Sequence, residues 1–164
     1  VIPGAEGFGV VGSGNEMIVK MIDLAYHHIR SRMTEMDISA RQLYEYAYRA
    51  NLVESAKADY RFMAEGITGQ FLGLAVVVAF LSQIRDRVVD PELALVGEIT
   101  LNGSVAGGPG IQHMLLSAHR NGIRRLVVPG ECREDLVDLP SDLDADISII
   151  EVDNVEQAIR IALE

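Results

Sequence analysis

Lysine is nearly missing from this sequence: it occurs only at Lys20 and Lys57, so the stretch from Ala58 to Glu164 can supply no catalytic lysine. Cysteine is scarcer still. Cys132 stands alone, which forbids an internal disulfide or a CxxC metal site and fits a reducing compartment, the cytoplasm. No apolar stretch reaches the roughly 20 uninterrupted residues of a membrane span, since the longest, Phe71 to Ile84, is closed by Arg85. Positive charge is in the minority, with 14 Lys plus Arg against 24 Asp plus Glu and a net charge of -10. A nucleic-acid surface would then have to be a local patch in a repelling field, so direct DNA or RNA binding by this domain is not expected. Internal repeats, low-complexity runs and Pro/Ser-rich linkers are also lacking. The sequence opens on Val1 rather than Met, and its first residues show no basic, hydrophobic, small-residue signal pattern. The expectation is one domain, residues 1–164, cut from a longer protein.

What remains is an apolar half of 164 residues, enough for one real core. Val10-Val11, inside a glycine-rich opening segment, predicts an edge strand or a loop. Met17, Ile18, Met21, Ile22, Ala25 and Ile29 recur at three-to-four spacing and predict an amphipathic helix from Asn15 to Met33. Leu43, Tyr46, Ala47 and Ala50 predict a second helix over 39–52, and the alternation of Tyr60, Phe62 and Ala64 a half-buried strand. Phe71 to Gln83 is apolar all the way round and reads as a core helix buried on most sides. Leu93 to Leu101 and Ser104-Val105 flank Asn102-Gly103 and predict a strand pair joined by an Asn-Gly turn, which tolerates positive φ at both central positions. A helix from Pro109 to about His119, a short strand at 125–128, a helical turn or two over 131–136, a strand at 147–152 and a closing helix capped by Asn154 complete the reading. Interleaved helices and short strands make a mixed α/β layer fold.

The chemical motifs are weak one by one. Gly7, Gly9 and Gly12 match G-x-G-x-x-G, but no strand of adequate length precedes them and the helix starts late for a pyrophosphate site. The loop Gly103 to Gly110 leads into a helix N-terminus, where free N–H groups at Gly107, Gly108 and Gly110 could hold an anion, although no Lys or Arg accompanies them. His113 and His119 are six apart and share no helix face, so no metal site is expected. Cys132 lacks a neighbouring His and is expected to be an ordinary surface or half-buried thiol.

The run Val96 to Val105 (VGEITLNGSV), continuing through Leu115 to Ile123 (LLSAHRNGI) and Val127-Val128-Pro129, resembles the C-terminal proteolytic domain of the Lon protease family. That family shows a TGEITLRGxV hairpin, a Gly-Gly loop, LLAAHRAGI at the end of a helix and IP before ENxxDL, which residues 130–136 echo. Gly73-Leu74-Ala75 is similar to its SAGIA helix, and Arg30-Ser31-Arg32 to its YVRSR segment. The resemblance implies the Lon C-terminal fold, of the ribosomal protein S5 domain 2-like kind, an AAA+ ATPase module elsewhere in the chain, six-membered rings, and ATP with Mg bound by that module rather than by this domain. It also implies serine chemistry through a Ser-Lys dyad, in which a nearby neutral lysine takes the serine proton. Ungapped counting from Gly97 puts the serine position on Phe71 and the lysine position on Gln112. Neither side chain can do that work, so the expected function is a non-proteolytic assembly or regulatory domain. Two alternatives stay open. One is an active peptidase whose nucleophile has shifted to Thr68, because Glu65-Gly66-Ile67-Thr68 faintly resembles DGPS; the other is an anion-binding or small-molecule α/β module built on the glycine loop.

Overall fold

A computed structural model describes residues 2–3, 7–11, 16–51, 71–136 and 146–164. Strand β1 (Ile2–Pro3) and strand β2 (Gly7–Val10) flank β3 (Tyr46–Ala50) in the order β1-β3-β2, antiparallel on one side and parallel on the other. Between β2 and β3 runs α1 (Glu16–Ser31), whose buried stripe of Ile18, Met21, Ile22, Ala25, His28 and Ile29 is the one its sequence period marks. A single-turn helix, α2 (Ala40–Tyr44), follows, opened by a capping box between Ser39 and Gln42. Here the expected helix over 39–52 is corrected. Its second half is β3, because Ala47 pairs with both Ile2 and Gly7, and Tyr48 and Ala50 pair with Phe8 and Val10. Ladder bonds to distant strands outweigh the local helical period.

Helix α3 (Gly73–Arg85) is the centre of the domain. It packs on α1, on β5 (Glu98–Ile99) and on the closing helix α5 (Val155–Leu163), burying Leu74, Val77, Val78, Phe80, Leu81 and Ile84. Its opposite face, with Ala75, Val76 and Ala79, is not enclosed by described residues as the all-round apolar pattern suggests. It looks onto a cleft of about 320 Å³ shared with Tyr48 and Ala50 of β3.

The second sheet is all parallel, ordered β4 (Leu93–Leu95), β7 (Arg125–Pro129), β8 (Ser148–Val152). Strand β7 is buried on both faces, as continuous apolar strands are when layers cover both sides. Its Val127 belongs to the core built on α1, α3 and α5. Leu126 and Val128 join Ile111 and Leu115 of α4 (Ile111–Arg120) in a smaller core. The hairpin pairs β5 with β6 (Val105–Ala106), so β4 is a separate strand and not its first half. Its turn also differs from the Asn-Gly form: only Gly103 has positive φ, and the turn closes by Gly103 N–H to the Thr100 carbonyl. That is a longer loop ended by one left-handed glycine. Asn154 caps α5 by accepting the Gln157 N–H at 3.0 Å, as its sequence announces. The mixed α/β fold holds. The strand expected around Tyr60 to Ala64 lies outside the described residues.

Candidate functional site

The hairpin and the start of α3 are tied together through backbone groups. Gly97 N–H donates to the Phe71 carbonyl at 3.0 Å, and Leu74 N–H donates to the Gly97 carbonyl at 3.0 Å. A Cβ at Gly73 would lie 3.0 Å from the Ile99 nitrogen, so a glycine is what lets the helix approach the strand this closely. These contacts fix Phe71 at the head of α3 beside the loop that leaves β6.

The loop, Ala106 to Gly110, is held on its other side by a 3-10 helix, Gly130–Leu136. Glu131 accepts the Gly107 N–H through its carboxylate, and Cys132 is buried against the same glycine. A Cβ on Gly107 would fall 2.2 Å from Cys132 Sγ. Burial pushes the Cys132 thiol above its ordinary range, with the carboxylates of Glu131 and Asp135 adding to the rise and the Gly108 N–H opposing it. The cysteine is fully buried, not at the surface or half-buried, and its neutral thiol serves as packing.

The ring of Phe71 lies over Gly108: a Cβ there would come within 2.7 Å of Phe71 Cζ and 2.9 Å of Cε1. Gln112, the second residue of α4, donates from Nε2 to the backbone carbonyl of Asp135 at 2.6 Å, tying α4 to the 3-10 helix. Around it is a shallow depression of about 260 Å³ lined by Pro109, Gly110, Ile111, Gln112, His113 and Asp135. Phe71 and Gln112 thus flank one loop, with the ring against its Gly108 and the amide turned to Asp135. Gly110, in a left-handed conformation with φ +95°, is the residue before α4. Thr68 lies outside the described residues.

The remaining histidines are apart from this loop. His119 Nε2 is 3.1 Å from an Asp146 carboxylate oxygen, an exposed pair that holds the Asp146 carboxyl below the usual carboxylate range. His28 is buried under the hairpin turn.

The family profile described as "Lon protease (S16) C-terminal proteolytic domain" matches residues 1–164. The chain belongs to this Lon family. It is 29% identical over 167 residues to the Lon protease of Methanosarcina barkeri, covering 99% of this chain and 19% of that protein. It is 30% identical over 167 residues to the Lon protease of Escherichia coli K12, covering 99% of this chain and 20% of that protein. To the Vibrio parahaemolyticus Lon protease it is 30% identical over 166 residues, covering 99% and 20%. The chain therefore spans about a fifth of the length of the curated relatives it matches. Among the described residues no helix is long and apolar enough to cross a membrane.

Within this Lon domain, two partners of the glycine loop escaped sequence reasoning, Glu131 as acceptor of the Gly107 N–H and Cys132 as its packing contact. The usable signal was their position, directly after a strand in the stretch that echoes ENxxDL.

Proposed function

We propose that this Lon domain has given up peptide-bond hydrolysis and serves as a non-proteolytic assembly or regulatory domain for an AAA+ ATPase carried in the same full-length chain, within a hexameric ring in the cytoplasm. What supports the reading is the pair of residues that counting from Gly97 puts at the two dyad positions. A phenyl ring has no proton to give up and no nucleophilic atom, and the Gln112 amide is not a base and is spent on the Asp135 carbonyl. A replacement lysine is hard to find. Lys20 is exposed on α1 and paired with Glu16 at 2.8 Å, and Lys57 lies outside the described residues. ATP and Mg belong to the AAA+ module, and this domain needs no cofactor of its own.

The anion-binding alternative has less support, because the Gly107 N–H already meets the carboxylate of Glu131. An added anion would compete with an intramolecular one in a field of net charge -10.

The test uses the full-length protein with ATP and Mg, treated with a fluorophosphonate probe and incubated with casein. No labelling and no cleavage above background are expected. Cleavage that vanishes in Thr68→Ala would overturn the reading in favour of an active peptidase with a shifted nucleophile.

A further inference from the structure

Away from the glycine loop, the hairpin turn rests on a buried polar pair. His28 is 2% exposed, the one buried polar or charged side chain among the described residues, and its ring faces Gly103 so closely that a Cβ there would fall 2.9 Å from His28 Cε1. Its Nδ1 lies 3.1 Å from Nη1 of Arg32, one helical turn on. Arginine can only donate, so Nδ1 must be the acceptor and the ring proton sits on Nε2, which has no hydrogen-bond partner among the described residues. The other arm of the same guanidinium, Nη2, donates to the Asn102 carbonyl at 2.7 Å and so holds the tip of the turn. The arrangement works only with a neutral histidine.

We propose that His28 is a proton-operated latch for the turn at Asn102-Gly103, in which the neutral ring seats Arg32 on the turn and protonation unseats it. Adding a proton to Nδ1 removes the acceptor and sets a cation against a cation in a buried place. The charged groups facing the pair are Glu35, after α1, with its carboxylate 3.8 Å from Arg32 Nε, and Glu156, in the first turn of α5, at 3.5 Å. Asn102 and Gly103, the hairpin residues against the pair, do not titrate. Both glutamates favour the charged ring, but burial and the Arg32 charge outweigh them and hold the His28 pKa below its usual 6.5.

The sign follows. A folded protein that binds this proton less readily than its opened form is fully latched above pH 6.5, and the latch weakens as pH falls from there toward the lowered folded pKa. Within that window each unit of pH multiplies the opened population by up to about ten. Opening is transmitted locally. The Gly103 carbonyl accepts the Val155 N–H and the Asp153 carbonyl accepts the Val105 N–H, both at 3.0 Å, so the turn holds the start of α5 as well as β6.

The test is hydrogen–deuterium exchange of the full-length protein at several pH values between 8 and 5, corrected for the intrinsic pH dependence of exchange. The peptide spanning residues 99–106 is the readout. Its protection should be constant from pH 8 to about 6.5 and then fall by up to tenfold per unit of pH. A variant carrying His27→Gln, His113→Gln and His119→Gln should keep that fall. His28→Gln, whose amide oxygen can still accept from Arg32, should abolish it. A flat profile in the unaltered protein, or a fall that disappears when the other three histidines are replaced, overturns the proposal, and the first of these arms does not depend on His28→Gln folding.

Discussion

The packing of Cys132 against Gly107 makes a demand that a double-mutant cycle can test. Gly107→Ala would put a methyl group 2.2 Å from Cys132 Sγ, well inside the 3.4 Å at which ordinary contact begins. The sulfur is buried, and the loop is pinned by Glu131, so neither partner can step aside without moving the 3-10 helix. Overpacking of this kind typically costs about 1–3 kcal/mol. Cys132→Ala alone removes one buried heavy atom and leaves a small void, on the order of 1 kcal/mol. In the double variant the new methyl enters the space the sulfur vacated, so it should be more stable than Gly107→Ala and show a coupling of about 1–2 kcal/mol relative to additivity. Urea unfolding at unchanged m-value supplies the free energies. Simple additivity, or a Gly107→Ala protein as stable as the parent, would mean that the glycine loop does not lie on the sulfur, and the account of the site would fail with it.

Three further outcomes are expected. Phe71→Ser combined with Gln112→Lys should give no turnover of a fluorogenic peptide, because an oxyanion donor set must also be aimed, and loss of one donor alone typically costs about a hundredfold or more; measurable turnover would show a scaffold still organised for catalysis. Asn154→Ala removes the cap of α5 and should lower stability by about 1 kcal/mol in urea unfolding. Arg133 donates to Glu151 at 3.0 and 2.8 Å and holds its carboxyl below the usual range, so this pair's contribution is present above the ordinary carboxylate pKa and is lost as pH falls through the lowered one. Arg133→Met should bring the Glu151 titration, followed by NMR, back to the ordinary range.

Where the side-chain period and the buried face agree, as in α1 and α5, the elements could be read from residue order alone. The mixed α/β class was equally legible; the hairpin was legible in its place along the chain but not in its first strand or its turn. The tail of the second helix was not, since Leu43, Tyr46, Ala47 and Ala50 satisfy a helical spacing and only pairing with residues 2–3 and 7–10 makes 46–50 a strand. Phe71 and Gln112 were singled out by counting along the chain from Gly97. Their surroundings could not be, because the ring over Gly108 and the amide on Asp135 depend on how a loop, a helix end and a 3-10 turn meet. His28 gave no sign either. A histidine on the apolar stripe of a helix looks the same in sequence whether or not an arginine one turn away leans on it.

Strand β7 divides the hydrophobic interior by residue parity, Val127 to one side and Leu126 with Val128 to the other. The two compartments are unequal, the larger gathering α1, α3 and α5 and the smaller resting on Ile111, Leu115, Cys132 and Ile147. Segments with fewer buried apolar contacts open at lower free energy than the global unfolding of the molecule. The α4 side, with the glycine loop and Gln112, is then a unit able to come away while the helical majority stays folded. Limited proteolysis under native conditions should cut first between Ala106 and Asn121, and the two pieces should stay associated through the packing of α5 on α3. The division thus sets the glycine loop and Gln112 apart, in stability, from the helices that carry most of the core.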